Sequence, residues 1–204
     1  MTDDVLITGS SGFIGKHIAG GKIFTGRLND LASVREQSRD VCGIVHLAAK
    51  SDKQTCENDP RGCISTNLTG LCNILETALN MKIWVLFIST YQVKEPHLYG
   101  LSKLMAEHIC LIYKQKGTNV RIVRLPIVYG AGQGKEKIVA KIIEKVKAGQ
   151  EPVIETDAKF FFIYVKDVVA MIESEVSVLK GEGQVAYSIR DLVSGIKECL
   201  KEAK

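Results

Sequence analysis

Short apolar runs alternate with stretches in which apolar residues recur at helical spacing, and this alternation continues along most of the chain. The first run, Val5-Leu6-Ile7-Thr8, is continuous, as expected of a strand buried on both faces. A glycine-rich turn and a short helix of about two turns follow, stopped by Gly20-Gly21 because adjacent glycines are poor helix formers. Lys22-Ile23-Phe24 reads as a vestigial second strand. Asn29 or Asp30 can cap a helix through about Arg39, and Gly43 to Ala48 reads as another buried strand.

Asp59 and Pro60 form an N-cap and first-turn pair. The helix they open runs to about Asn80, because Ile64, Leu68, Leu71, Leu75 and Leu79 recur at spacings of three and four. Ile83 to Ser89 is the next strand, residues 100–116 the next helix and Val120 to Leu125 a further strand. Lys135 to Ala148 is an amphipathic helix closed by Gly149. The pattern ends with a strand over Phe160 to Val165, a helix near Asp167 to Val176, a polar turn from Lys180 to Gln184 and a helix through Leu192, Val193, Ile196 and Leu200.

Strands alternating with helices predict an α/β fold with a doubly wound parallel sheet. With 204 residues and a prior of roughly 100–200 residues per domain, one domain with a small appendage is expected. We divide it into residues 1–130 and a reduced lobe over 131–204 that carries the last sheet elements. The 27 basic and 23 acidic residues are interspersed, so the net charge of +4 describes solvated helix faces and argues against a nucleic-acid partner.

The six cysteines form no CxxC pair and have no histidine at a zinc-ligand spacing, so no metal is expected. Reduced cysteines on apolar faces point to a cytoplasmic compartment. The opening MTDDVLITG has acids where a signal peptide needs positive charge, and no apolar run reaches about 18 residues, so neither export nor a membrane span is expected.

Three segments carry candidate chemistry. Gly9-Ser10-Ser11-Gly12-Phe13-Ile14-Gly15 leaves a strand and enters a helix. There Gly9 permits the tight turn, Gly12 lets backbone approach a pyrophosphate, Gly15 packs helix on strand, and the helix N-terminus faces the negative charge. Tyr99 and Lys103 lie four residues apart at the start of a helix, so both can face one site. A cation beside the phenol would stabilise phenolate and let Tyr99 act as a general base. Ser89 and Thr90 end a buried strand at the edge where parallel sheets bind ligands.

In this order the segments resemble the extended branch of the short-chain dehydrogenase/reductase superfamily, the nucleotide-sugar epimerase/dehydratase group. The marks are ITGSSGFIG at 7–15, HLAA at 46–49, Asn67, FIST at 87–90, YGLSK at 99–103, RLPIVYGAGQ at 124–133 and FIYVKDVV at 162–169. The resemblance implies a Rossmann-type NAD(P)-binding domain over 1–130, a shortened substrate lobe and a proton relay of Thr90, Tyr99 and Lys103. By the same implication Gly9, Gly12, Phe13, Ile14, Gly15, Leu47, Ala48, Ala49, Asn67, Ser89, Tyr99 and Lys103 would contact the cofactor. It further implies a nucleotide-sugar substrate, C4 epimerase or 4-ketoreductase activity, and a homodimer built on helices 60–80 and 100–116 with Met105, Ile109 and Ile112 at its surface.

The pattern also departs from that group. The acid that would hold a ribose diol, about 20 residues beyond the glycines, is missing, and Arg27 near that position leans toward the 2′-phosphate of NADP. Only eight residues separate Thr90 from Tyr99. Tyr91 and Gln92 stand where dehydratases of the group carry an Asp-Glu pair, which disfavours dehydration. No Cys adjoins Thr90, and His46 is expected to be a satisfied core residue. A chain trimmed in this way also fits a non-catalytic dinucleotide-binding sensor or scaffold.

Overall fold

The computed structural model describes residues 4–152, 159–173 and 186–188. The first strand, β1 (Val5–Thr8), is buried at all four positions and pairs in parallel with β2 (Lys22–Ile23) on one side and β3 (Gly43–His46) on the other. Between β1 and β2 the expected two-turn helix is a single 3-10 turn, Gly15–His17, after which Ile18 is already extended. Gly20 and Gly21 then take φ of 74° and 85°, which carries the chain straight into β2. A parallel pair needs a crossover of about a dozen residues, and residues 9–21 only just supply one, so no helix of normal length fits.

Helix α1 (Leu31–Gln37) is capped by the Asp30 carboxylate, which accepts from the N–H groups of Ala32 and Ser33. After β3 come α2 (Lys53–Asn58), absent from the periodicity reading, and α3 (Pro60–Ile64), capped by Asp59. The predicted long helix is interrupted: Ser65–Thr69 is π-helical before α4 (Gly70–Met81) resumes. Next are β4 (Trp84–Thr90), a 3-10 turn at Tyr91–Lys94, α5 (Leu98–Gln115) and β5 (Val120–Leu125). The five strands form one all-parallel sheet in the order β2-β1-β3-β4-β5. Leu6, Ile44, Val85 and Phe87 from the sheet pack with Val34, Leu71, Ile74, Leu75, Ala106 and Cys110 from the helices as the main core.

The chain divides into two compact units, with the boundary after Leu125. The second unit contains β6 (Ile127–Tyr129), α6 (Ile138–Lys147), β7 (Lys159–Tyr164), most of α7 (Val165–Glu173) and β8 (Ala186–Ser188). There β7 pairs in parallel with β6 and antiparallel with β8. The expected Lys180–Gln184 turn and the helix through Leu192 and Leu200 lie outside the described residues. Among those described, no helix is long and apolar enough to cross a membrane.

Candidate active site

The glycine turn sits at the C-terminal end of β1, pressed against the loop that leaves β3. Gly9 has φ of 76°, and a Cβ there would lie 2.6 Å from the Ala48 backbone nitrogen, a separation only glycine tolerates. At Gly15 a Cβ would come within 2.4 Å of the Gly9 carbonyl oxygen. Gly12 is exposed, with its N–H donating to the Gly9 carbonyl at 3.0 Å. Gly9, Gly12, Gly15, Leu47 and Ala48 are thus brought together, with Ala49 next in the chain. Thr8 ties the two edges, since its Oγ1 accepts from the Ala48 N–H at 3.3 Å and meets His46 Nδ1 at 2.7 Å. Phe13 and Ile14 are half-buried, and the Phe13 ring stands edge-on to His17 with centroids 5.4 Å apart.

One expectation about this end of the site needs correction. The turn does not enter a helix of useful length, so the dipole expected to face an anion is missing. The acids past β2 are engaged elsewhere: Asp30 caps α1, and Glu36 pairs with Arg39 at 2.7 Å. Arg27 is exposed, and its carbonyl accepts from the Asp30 N–H at 3.0 Å.

The second cluster forms where β4 ends and α5 begins. Thr90 Oγ1 accepts from the Gln92 N–H at 3.2 Å, which starts the 3-10 turn. His97 caps α5, its Nδ1 accepting from the Gly100 N–H at 3.0 Å while Nε2 faces Glu95 at 3.1 Å. That cap orients the first turn of α5, so the Tyr99 hydroxyl meets the Thr90 side chain. The His97 and Tyr99 rings are nearly parallel, at 4° and 6.2 Å between centroids. Thr90, Tyr99 and Lys103 are all buried. Burial pushes the Tyr99 phenol up to about 12, against the hydrogen bond with Thr90.

Lys103 Nζ donates to the Ile88 carbonyl oxygen at 2.6 Å and lies 4.4 Å from the centre of the Phe87 ring. Its burial pushes the ammonium down to about 8, opposed by the Cys110 and Glu107 side chains. The Tyr99 hydroxyl thus has Thr90 as its partner, and the Lys103 ammonium is bonded to the backbone of β4.

Two further residues expected at the cofactor have partners within the chain. The Asn67 carboxamide is fully used: Oδ1 accepts from the Lys50 N–H at 2.8 Å, and Nδ2 donates to the Lys50 carbonyl at 3.1 Å and to Ser102 Oγ at 3.0 Å. It anchors the loop after β3 to α5, from within the π-helical segment. The Ser89 hydroxyl donates to Glu107 Oε1 at 2.5 Å, and Glu107 also accepts two bonds from Arg124, at 2.9 and 2.6 Å. His46 is less satisfied than expected, because its Nε2 is buried with no hydrogen-bond partner. Burial, aided by the charge of Lys103, lowers its pKa to about 3.

Sequence reasoning missed Cys56 and Cys63, which pack against Tyr99 with their sulfurs 2.8 Å apart. No Cys adjoins Thr90 in the chain, yet the fold delivers two beside its partner. It also missed the cap and ring contact of His97, for which the only signal was a His three residues ahead of Gly100.

The model of the NAD dependent epimerase/dehydratase family matches residues 19–174. A UDP-glucose 4-epimerase of Rickettsia akari is 30% identical over 135 residues, covering 64% of this chain and 39% of that protein. A putative UDP-glucose 4-epimerase of Methanocaldococcus jannaschii is 27% identical over 214 residues, 80% of this chain and 70% of that one. The chain thus spans about two fifths of the length of the Rickettsia relatives it matches. The UDP-glucose 4-epimerase of Thermus thermophilus in complex with NAD superposes with a TM-score of 0.77 at 23% identity, covering 97% of this chain and 83% of that one. A UDP-N-acetylglucosamine 4-epimerase from Methanobrevibacter ruminantium gives 0.82 at 22%, covering 98% and 83%. The parallel sheet is accordingly a Rossmann-like one, and the chain belongs to the NAD-dependent epimerase/dehydratase family.

Proposed function

We propose that this chain is an NAD(P)-dependent oxidoreductase acting on a nucleotide-linked sugar, as a C4 epimerase or a 4-ketoreductase, with Thr90, Tyr99 and Lys103 handling the proton. The observation that carries this reading is the meeting of the Thr90 and Tyr99 side chains at the C-terminal edge of the sheet, one helical turn from a buried lysine. The glycine turn fits a dinucleotide phosphate because Gly9 and Gly15 leave no room for a Cβ and Gly12 presents bare backbone. Gly9, Gly12, Gly15, Phe13, Ile14 and Leu47 to Ala49 would hold the cofactor, which when bound supplies hydride transfer at the sugar carbon.

Tyr99 holds a proton on its Oη at neutral pH, so its first competence is as an acid. In reduction it gives that proton to the sugar oxygen as the alkoxide develops, while Thr90 fixes the direction of the hydroxyl. In the oxidative half of an epimerisation Tyr99 must instead accept a proton. Starting from a phenol at about 12, ionisation at pH 7 costs about 7 kcal/mol. The positive charge of Lys103 must offset that cost, which makes the lysine more important to an epimerase than to a reductase.

The relatives in complex with NAD favour NAD, whereas an exposed Arg27 beyond β2 favours a 2′-phosphate and hence NADP. A homodimer fits the exposure of Leu101, Met105 and Ile112 on α5 and of Ile64 on α3, whereas Ile109 packs on the core. The free cysteines among the described residues agree with a cytoplasmic setting.

The reading is tested by incubating the protein and cofactor with UDP-glucose, UDP-N-acetylglucosamine and a dTDP-4-keto sugar, following C4 inversion by NMR and reduced cofactor by absorbance. Conversion of one of them is expected. Conversion of none, with cofactor bound, would favour a dinucleotide-binding sensor or scaffold, a second reading supported by the abbreviated crossover between β1 and β2.

A further inference from the structure

The first turn of α5 is closed by an imidazole, although Ser, Thr, Asp and Asn are the usual residues in that place. His97 is buried, and its Nδ1 lies 3.0 Å from the Gly100 nitrogen. A backbone N–H can only donate, so Nδ1 is the acceptor and carries no proton. The ring proton therefore sits on Nε2, which donates to Glu95 Oε2 at 3.1 Å. Tyr99 falls between the cap and the residue it caps, with its ring nearly parallel to the imidazole at 6.2 Å between centroids. The turn has no slack around it: a Cβ at Gly100 would strike the carbonyl oxygens of Gln92 and Glu95, both in the short segment that follows Thr90.

We propose that His97 is a positioning residue for Tyr99, holding the phenol at Thr90 only while its imidazole is neutral. The inference rests on the reading of Tyr99 above and adds to it a second residue and a pH limit. A proton added to the ring goes to Nδ1, the nitrogen that accepts from Gly100, so two N–H groups then face each other and the cap opens. The N-terminus of an 18-residue helix also opposes a cation there. The Glu95 carboxylate favours the imidazolium, and its bond to Nε2 survives protonation, so the ring stays tied to the loop while the helix end is released. Of the other titratable groups around this turn, Tyr99 and, packed on it, Cys56 of α2 keep their protons up to about 12. Cys63 of α3 also packs on Tyr99, and Tyr91 and Lys94 belong to the 3-10 turn that lies against α5. Imidazole is the one side chain among these that ordinarily changes charge between pH 5 and 8. Release of the turn misdirects the phenol, so the loss falls on kcat more than on KM.

The test follows turnover from about pH 5 to 9 in the wild type, His97→Asn and His97→Ala, with whichever of UDP-glucose, UDP-N-acetylglucosamine and the dTDP-4-keto sugar is converted. The amide NMR resonance of Gly100 is recorded over the same range. The wild-type kcat is expected to fall about tenfold per pH unit on the acid side, the slope of a single protonation, with the Gly100 resonance moving over the same interval. His97→Ala is expected to lower kcat about 10- to 100-fold at every pH through the misplaced phenol. His97→Asn restores an acceptor that takes no proton, so it is expected to recover most of that loss and to lack the acid limb. Thermal melts verify folding, and the wild type and His97→Asn decide the matter if His97→Ala does not fold. An acid limb kept in His97→Asn, or a Gly100 resonance that stays put in the wild type, would overturn the role of His97 while leaving the proposed function standing. Absence of turnover at every pH, with the Gly100 resonance titrating, would overturn the proposed function and the positioning role with it, leaving a pH-dependent cap alone.

Discussion

Lys103 places its ammonium 2.6 Å from the carbonyl oxygen of Ile88, on a side chain that is almost wholly buried. The bond fixes the lysine to β4 two residues before Thr90, so the helix carrying Tyr99 and the strand carrying Thr90 are joined by a charged hydrogen bond.

Burying that charge has a pH signature. The folded value of about 8 lies below the unfolded value of about 10.4, so between them the unfolded chain holds more protons and stability rises with pH. From pH 8 to 10 the wild type is expected to gain on Lys103→Met by up to about 1.4 kcal/mol per pH unit. Denaturation at several pH values measures the difference, and parallel curves would contradict the buried charge.

His46 acts at the other end of the scale. Its ring stays neutral down to about pH 3, while in the unfolded chain it takes a proton near 6.5. Stability conferred by the neutral ring is therefore full above about 6.5 and declines as pH falls toward 3, by up to about 1.4 kcal/mol per unit. The slope is expected to flatten in His46→Gln, as read by urea denaturation between pH 4 and 7.

Tyr99→Phe removes the acidic hydroxyl and leaves the ring stacked on His97. Turnover is expected to fall by about 10²- to 10⁴-fold, the usual contribution of a positioned acid or base, with cofactor affinity retained. Turnover and calorimetry on the same preparation check both halves, and an unchanged rate would remove Tyr99 from the chemistry.

Gly15→Ala drives a methyl group to 2.4 Å from the Gly9 carbonyl and 2.6 Å from Ser10 Cα, both backbone atoms. Forcing that contact open is expected to cost about 1–3 kcal/mol in stability and to weaken dinucleotide binding through the displaced turn. Thermal melts and titration of the variant read the two effects.

The strands and longer helices were legible because continuous apolar runs and three-and-four spacing are local signals, and the cap residues Asp30 and Asp59 carried theirs in one or two side chains. The reduced crossover was half legible: Gly20-Gly21 announced the stop, but the loss of nearly the whole helix follows from the pairing of Leu6 with Lys22, a tertiary constraint. The π-helical segment keeps the same apolar face, so periodicity could not mark it. Thr90 and Tyr99 lie in separate motifs of the sequence, and the fold brings their side chains into hydrogen-bond contact. What the motifs could not give was the commitment of other polar groups, such as Asn67 to Lys50 and Ser102 or Ser89 to Glu107, because those partners are brought in by the folding of distant segments.

The central claim, a chain that binds a dinucleotide and works on it, is tested most directly by calorimetric titration with NAD, NADH, NADP and NADPH after any cofactor that co-purifies has been identified. Micromolar binding of at least one is predicted: tightly retained NAD would favour an epimerase, and exchangeable NADPH a reductase with Arg27 at its 2′-phosphate. Absence of binding to all four would contradict the account and leave a Rossmann-like fold without its cofactor.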